Sequence, residues 1–110
     1  MVGSAAPGDP FGALGDPNRR EILRLLSLRD MPVTEIAAAM PISRPAVSRH
    51  LRLLKDAGLV VEEAKGTRRI YHLEDAGLVA VHDYLERVWG EAAVRFRLVA
   101  ENTTPKRHRA

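Results

Sequence analysis

Between Asp16 and Leu73 the chain is punctuated by residues that stop or turn a backbone: Pro17, Pro32, Pro41, Pro45, Gly58 and Gly66. Proline is tolerated in the first turn of a helix but not in its interior, and glycine is favoured just past the last turn. This spacing limits the segment to short helices and a tight turn. Asp16-Pro17 reads as an N-cap followed by proline at the first helical position. From there Ile22, Leu25, Leu26 and Arg29 keep a helical spacing, Leu23 widens the apolar face, and Asp30-Met31-Pro32 closes the helix. The alanine-rich stretch from Thr34 to Met40 predicts a second, short helix, which Pro41 stops. Ser43 opens a third, with Pro45 in its first turn and Gly58 at the left-handed position beyond its end. A short helical piece around Asp9–Leu14 precedes the series.

On a helical wheel the third helix divides sharply. Val47, Leu51 and Leu54 share one face and must pack inward, while Pro45, Ser48, Arg49, Arg52 and Asp56 lie opposite. Two β-rich runs, Leu59–Glu63 and Arg68–Leu73, flank a turn at Lys65-Gly66 and predict a hairpin. From about Asp75 to Glu101 the pattern is that of one long helix. Leu78, His82, Leu85, Trp89, Ala92, Phe96 and Val99 recur alternately four and three residues apart, a heptad-like seam. The helix is longer than so small a body needs, and it carries the one tryptophan. Leu78, Leu85, Trp89, Ala92 and Phe96 are therefore the expected interface of a homodimer. The expected fold class is mainly α with a small β-hairpin.

The 110 residues allow one small domain, and 45% hydrophobic with 28% charged residues is ordinary for a globular chain. The expected division is a loose Gly/Ala/Pro/Ser arm over 1–8, one domain over 9–101 with its dimerisation helix from about 75, and a disordered basic tail over 102–110. No apolar run approaches about 18 residues, so no membrane span is expected. The opening residues have neither the basic start nor the apolar stretch of a secretory signal, which points to the cytoplasm. With no cysteine, disulfides, thiolate metal sites and thiol redox switches are excluded.

The net charge is only +3, but it is unevenly distributed. Residues 43–73 carry seven Lys/Arg against three Asp/Glu, and residues 102–110 add Lys106, Arg107 and Arg109 without an acid. Basic charge gathered on one segment of an otherwise acidic body is the footprint of a polyanion partner.

Helix, short helix, proline-containing turn, helix, hairpin and long helix is the order of a winged helix-turn-helix. Four blocks make the likeness closer. Ala13-Leu14-Gly15-Asp16-Pro17-Asn18-Arg19-Arg20-Glu21-Ile22-Leu23 resembles the opening of the ArsR/SmtB family of bacterial winged helix-turn-helix transcriptional regulators. Ile42-Ser43-Arg44-Pro45-Ala46-Val47-Ser48-Arg49-His50-Leu51-Arg52-Leu53-Leu54 is similar to that family's recognition helix. Ala57-Gly58-Leu59-Val60 and a wing with Gly66, Arg68, Tyr71 and Leu73 complete the pattern, which runs from about residue 11 to 100. The resemblance implies a homodimer, joined through the long last helix and the N-terminal helical region, that binds an inverted-repeat operator in double-stranded DNA.

The chain also departs from the family's metal sensors. Where some carry a cysteine pair at the start of the short helix, this chain has Val33-Thr34-Glu35. Others use Asp and His of the last helix with a second His-rich pair beyond. Here that helix offers His82, Asp83 and Glu86, and no further histidine before His108. The chain looks most like the branch without a recognisable metal motif, whose members often repress their own operon.

For DNA, Ser48 and Arg49 are the expected base-edge contacts, because a helix in the major groove needs short or basic side chains facing out. Ser43 and Arg44 sit at the positive end of the helix, where backbone N–H groups favour a phosphate, and Pro45 lies beside them. Arg52 is an expected phosphate contact, and Lys65, Thr67 and Arg68 of the wing tip are suited to the minor groove or backbone. Two readings stand for His50, a phosphate contact or a packing residue. His82 likewise reads either as an interface histidine or, with Glu86, as part of a nickel or zinc effector site. No cofactor is otherwise expected.

The chain has no cysteine nucleophile, glycine-rich phosphate loop or paired His/carboxylate zinc motif, so an enzyme is not expected. The leading expectation is a DNA-binding repressor of its own or a neighbouring operon. Two alternatives are a metal-responsive regulator using His82 and a winged-helix subunit that works through a partner protein; for the regulator itself, an effector-binding protein is a candidate partner.

Overall fold

Asp16 caps the helix that opens at Pro17, as the sequence predicts. Its Oδ1 accepts the amides of Asn18 at 2.7 Å and Arg19 at 3.2 Å, and Pro17 takes the first helical position. The computed structural model describes residues 8–103. All of the expected N-terminal arm but Gly8, and all of the expected tail but Asn102 and Thr103, lie outside the described residues. The elements are α1 (Pro10–Ala13), α2 (Pro17–Leu28), β1 (Met31–Pro32), α3 (Val33–Ala38), α4 (Arg44–Asp56), β2 (Val60–Lys65), β3 (Arg68–Leu73) and α5 (Asp75–Thr103).

Local chemistry sets most of the boundaries. Ser43 caps α4 by accepting the Ala46 amide at 3.3 Å, with Pro45 in the first turn. At the other end Leu59 N–H reaches the Leu54 carbonyl and Gly58 N–H reaches the Lys55 carbonyl, both at 3.0 Å, while Gly58 takes φ +74°. This pair of bonds around a left-handed glycine satisfies carbonyls that the helix leaves open. The β2–β3 turn is two residues long, with Lys65 opposite Arg68 and Gly66 at φ +65° in its first position. That conformation strains a residue with a side chain.

The sheet is larger than the predicted hairpin. It has three strands in the order β1-β3-β2, all antiparallel, because Met31 pairs with Tyr71 and Pro32 with Ile70. The residues expected only to close α2 thus form an edge strand. Pro32 fits there because an edge strand has one side on which no ladder N–H is needed.

The core joins α2, α3, α4 and the sheet. Ile22, Leu25 and Leu26 of α2 meet Ile36 of α3 and Val47, Leu51 and Leu54 of α4, closed off by Met31, Met40, Leu59 and Val60. Among the described residues no polar or charged side chain is buried. The helical face assigned to Val47, Leu51 and Leu54 is therefore the inward one.

Leu51 is 1% exposed at the centre of this cluster. Leu51→Ala is expected to cost about 2–5 kcal/mol, from lost burial plus the cavity left behind. Urea unfolding at fixed protein concentration checks this as a lowered midpoint with an unchanged slope.

Candidate nucleic-acid interface

With its apolar face turned inward, α4 presents Arg44, Pro45, Ser48, Arg49 and Arg52 to solvent, all exposed, and Ser43 stands exposed at its N-cap. The wing tip next to it presents Lys65, Thr67 and Arg68, also exposed. Arg44 meets the wing in a cleft of about 300 Å³, where Thr67, Arg68, Arg69 and Tyr71 face Pro32, Val33 and Thr34. The start of α4 and the wing therefore form one continuous basic surface.

Not every cation of the basic segment is available to that surface. Glu62 on β2 accepts Lys55 Nζ from α4 at 2.9 Å on one oxygen and Arg69 Nη1 from β3 at 2.8 Å on the other. The Glu62 side chain is only 14% exposed. The hydrogen bond from Lys55 holds its carboxyl below the usual range against the opposing effect of burial, and Arg69 adds to the same effect. Across the ladder, burial raises the Tyr71 hydroxyl and the Glu62 charge raises it further. Among the described residues, Arg44, Arg49, Arg52, Lys65 and Arg68 make no ion pair.

His50 is half-buried, and its Nδ1 lies 3.3 Å from Arg19 Nη1 on α2. A guanidinium only donates, so Nδ1 accepts and the ring proton of a neutral His50 sits on Nε2. Arg19 also donates from Nε to the Ala13 carbonyl at 2.7 Å and from Nη2 to the Gly12 carbonyl at 3.4 Å. One side chain thus ties α4 to the end of α1. Near it, burial works to raise the Asp16 carboxyl, but the amides of Arg19 and Asn18 outweigh it and the group is lowered. This contact joins residues 31 positions apart, and nothing local in the sequence signals it.

On α5 the predicted seam is open to solvent from Leu78 to Ala92. Leu78, Leu85 and Trp89 are 58%, 46% and 51% exposed, and Ala92 is exposed too. The Phe96 side chain lies outside the described residues. Val79, Tyr84 and Val88, which the seam omits, are exposed as well and widen the apolar surface. Phe11 of α1 meets Tyr84 edge-on at 5.0 Å between ring centres, and Tyr84 meets Trp89 at 6.2 Å. This aromatic contact carries the surface from α5 onto α1. His82 is 70% exposed and 3.7 Å from its neighbour Asp83, and Glu86 is exposed. Among the described residues no three His, Asp or Glu side chains gather as a metal cluster would require.

A helix-turn-helix with an exposed basic second helix and a basic wing defines a winged helix-turn-helix DNA-binding protein. The sequence model for bacterial regulatory proteins of the arsR family matches residues 16–62. The chain is 44% identical over 87 residues to the HTH-type transcriptional regulator Rv2034 of Mycobacterium tuberculosis, covering 79% of this chain and 81% of that protein. It is 43% identical over 63 residues to the transcriptional repressor SdpR of Bacillus subtilis, covering 57% and 70%. Among solved structures, the ArsR-like transcriptional regulator from Rhodococcus sp. RHA1 superposes with a TM-score of 0.66 at 32% identity, covering 86% of this chain and 90% of that one. The chain belongs to the ArsR family of bacterial regulatory proteins and is a DNA-binding transcriptional regulator.

Glu62 gives the interface a measurable pH dependence. Its folded pKa lies below the ordinary 4.5, so its stabilisation is fully present above that value and is lost as pH falls through the folded pKa. Glu62→Gln is expected to lower the urea midpoint at neutral pH, and the gap to the native chain should narrow on acidification. A gap that stays constant from neutral to acid pH would contradict the pairing.

Proposed function

We propose that the protein is a homodimeric repressor of its own or a neighbouring operon, working in the cytoplasm without catalysing a reaction. In this reading the recognition helix, residues 43–57, enters the major groove of an inverted-repeat operator and the wing, residues 59–73, lies beside it. The observation that carries the reading is the set of exposed, unpaired cations Arg44, Arg49 and Arg52 on α4 and Lys65 and Arg68 on the wing, with Arg44 and Arg68 lining one cleft. A subunit working only through a partner protein has no need of such a surface.

Roles follow from position. Ser48 and Arg49 at mid-helix read base edges, Ser43, Arg44, Pro45 and Arg52 meet the backbone, and Lys65, Thr67 and Arg68 flank the groove. His50, held through Nδ1, offers its Nε2 proton to a phosphate. The apolar surface of Leu78, Leu85, Trp89 and Ala92, widened by Tyr84 and Phe11, supports pairing of two chains through α5 and α1, because soluble monomers rarely leave such continuous patches uncovered. Two-fold protein symmetry then requires two-fold symmetry in the operator. A nickel or zinc site at His82 and Glu86 would need ligands from the second chain.

Arg49→Ala is expected to lose about 1–3 kcal/mol of discrimination at one base position. Arg52→Ala should instead weaken binding to all sequences and reduce the salt slope by about one. Selection of bound sequences from random DNA, followed by titration on selected and scrambled duplexes, separates the two. Equal losses on both duplexes for both variants would sink the assignment.

Trp89→Asp puts a charge into the apolar surface and is expected to turn a dimer into a monomer in sedimentation velocity at micromolar concentration. A native chain that sediments as a monomer under the same conditions would refute the dimer.

A further inference from the structure

α5 begins on the end of the recognition helix. Its first turn has amides with no partner inside the helix, as every helix does. The Glu74 carboxylate accepts those of Asp75 at 3.2 Å and Ala76 at 3.4 Å. The next amide, of Gly77, donates to the Gly58 carbonyl at 2.7 Å, at the C-terminus of α4. The Glu74 amide donates to the Leu59 carbonyl at 3.0 Å, a second tie between the same two places. The positive end of one helix is thus set against the negative end of the other, an arrangement their dipoles favour.

The approach leaves no room for a side chain. Gly77 is buried although it lies in the first turn of a long, mostly exposed helix. A methyl group on it would stand 2.8 Å from the Ala57 carbonyl, 2.9 Å from the Gly58 carbonyl and 2.8 Å from Leu59 Cδ2. Two of these three obstacles are backbone atoms of the α4 terminus, which Leu54 and Lys55 already hold by hydrogen bonds. They cannot swing aside as a side chain can. Gly58 differs: a methyl group there stands 3.4 Å from Gly77 N, 3.6 Å from Ala76 Cβ and 3.8 Å from Gly77 Cα, ordinary contacts, although its φ of +74° would be strained.

We propose that Gly77 is a positioning residue for operator recognition: by letting α5 seat directly on the Gly58 carbonyl, it sets the separation and angle of the two recognition helices in the dimer, and so the half-site spacing the protein accepts. This rests on the reading that two chains pair through α5. Each α4 is then connected to the symmetry axis through this joint, and a displacement there is carried to both recognition helices with the DNA-contacting surface unchanged. Gly77 touches no DNA, so it acts on spacing and leaves the bases preferred within a half-site as they are.

The chain has no cysteine, so Asp56→Cys at the exposed end of α4 places one spin label per chain, and the label-to-label distance across the dimer reads the joint directly. In the otherwise native chain that distance is expected to be narrowly distributed. Adding Gly77→Ala should shift it, lower affinity for the native operator by about tenfold, the equivalent of about 1.4 kcal/mol, and change the spacer chosen from a library of half-sites at varied separation. The half-site sequence should stay the same. A folded, dimeric Gly77→Ala with native distance and spacing overturns the proposal. Should Gly77→Ala fail to fold, the native label distribution decides, because a broad one means that no fixed joint exists. Sedimentation of the native chain keeps the two readings apart: a monomer removes the dimer itself, whereas a dimer with an unmoved Gly77→Ala removes only the role of Gly77.

Discussion

The inward stripe of α4 is the constraint on which the rest of the structure depends. Val47, Leu51 and Leu54 are all but inaccessible to solvent, packed with Ile22 of α2 and Ile36 of α3. Successive residues on a helix turn by about 100°, so pinning three side chains on one face settles where every other one points. Arg49 and Arg52 face solvent because Leu51 does not. Core and interface are two sides of one cylinder, and a change that let α4 roll would alter both together.

Both ends of that helix are secured as well. Ser43 caps the first turn and the left-handed Gly58 closes the last. Sideways, Arg19 joins His50 to the carbonyls that end α1, and Glu62 joins Lys55 to the wing strand through Arg69. Polar side chains at the edge of the body thus do what the apolar core cannot. The core is non-directional and resists separation, whereas these contacts have fixed geometry and resist sliding.

Much of the fold was legible because its boundaries are written in local chemistry. Asp16-Pro17, Ser43 with Pro45, Gly58 and Gly66 each occupy the place their backbone preference demands. The alternation along α4 identified its buried face for the same reason. What escaped reading is non-local. β1 has two residues, too few to show any period, and exists only because β3 lies beside it. The charge count of residues 43–73 includes Lys55 and Arg69, yet Glu62 of β2 holds both. Tyr84 falls between the positions of the heptad-like seam, and its contacts with Phe11 and Trp89 bring it into the apolar surface. Nothing local in the sequence marks Gly77, whose lack of a side chain is required only by the end of α4 lying against it.

The double hold of Glu62 on Lys55 and Arg69 bears on how this protein responds to ionic strength. Binding to a duplex draws its salt sensitivity from counterions set free as cations replace them along the phosphates, about 0.9 per phosphate neutralised. A cation already matched by a carboxylate of its own chain displaces fewer of them. Of the seven Lys and Arg between residues 43 and 73, two are matched in this way, so in the proposed binding mode this segment would release counterions through the five that are not. In the proposed binding mode this segment would thereby depend less on dilute salt than its count of basic residues suggests.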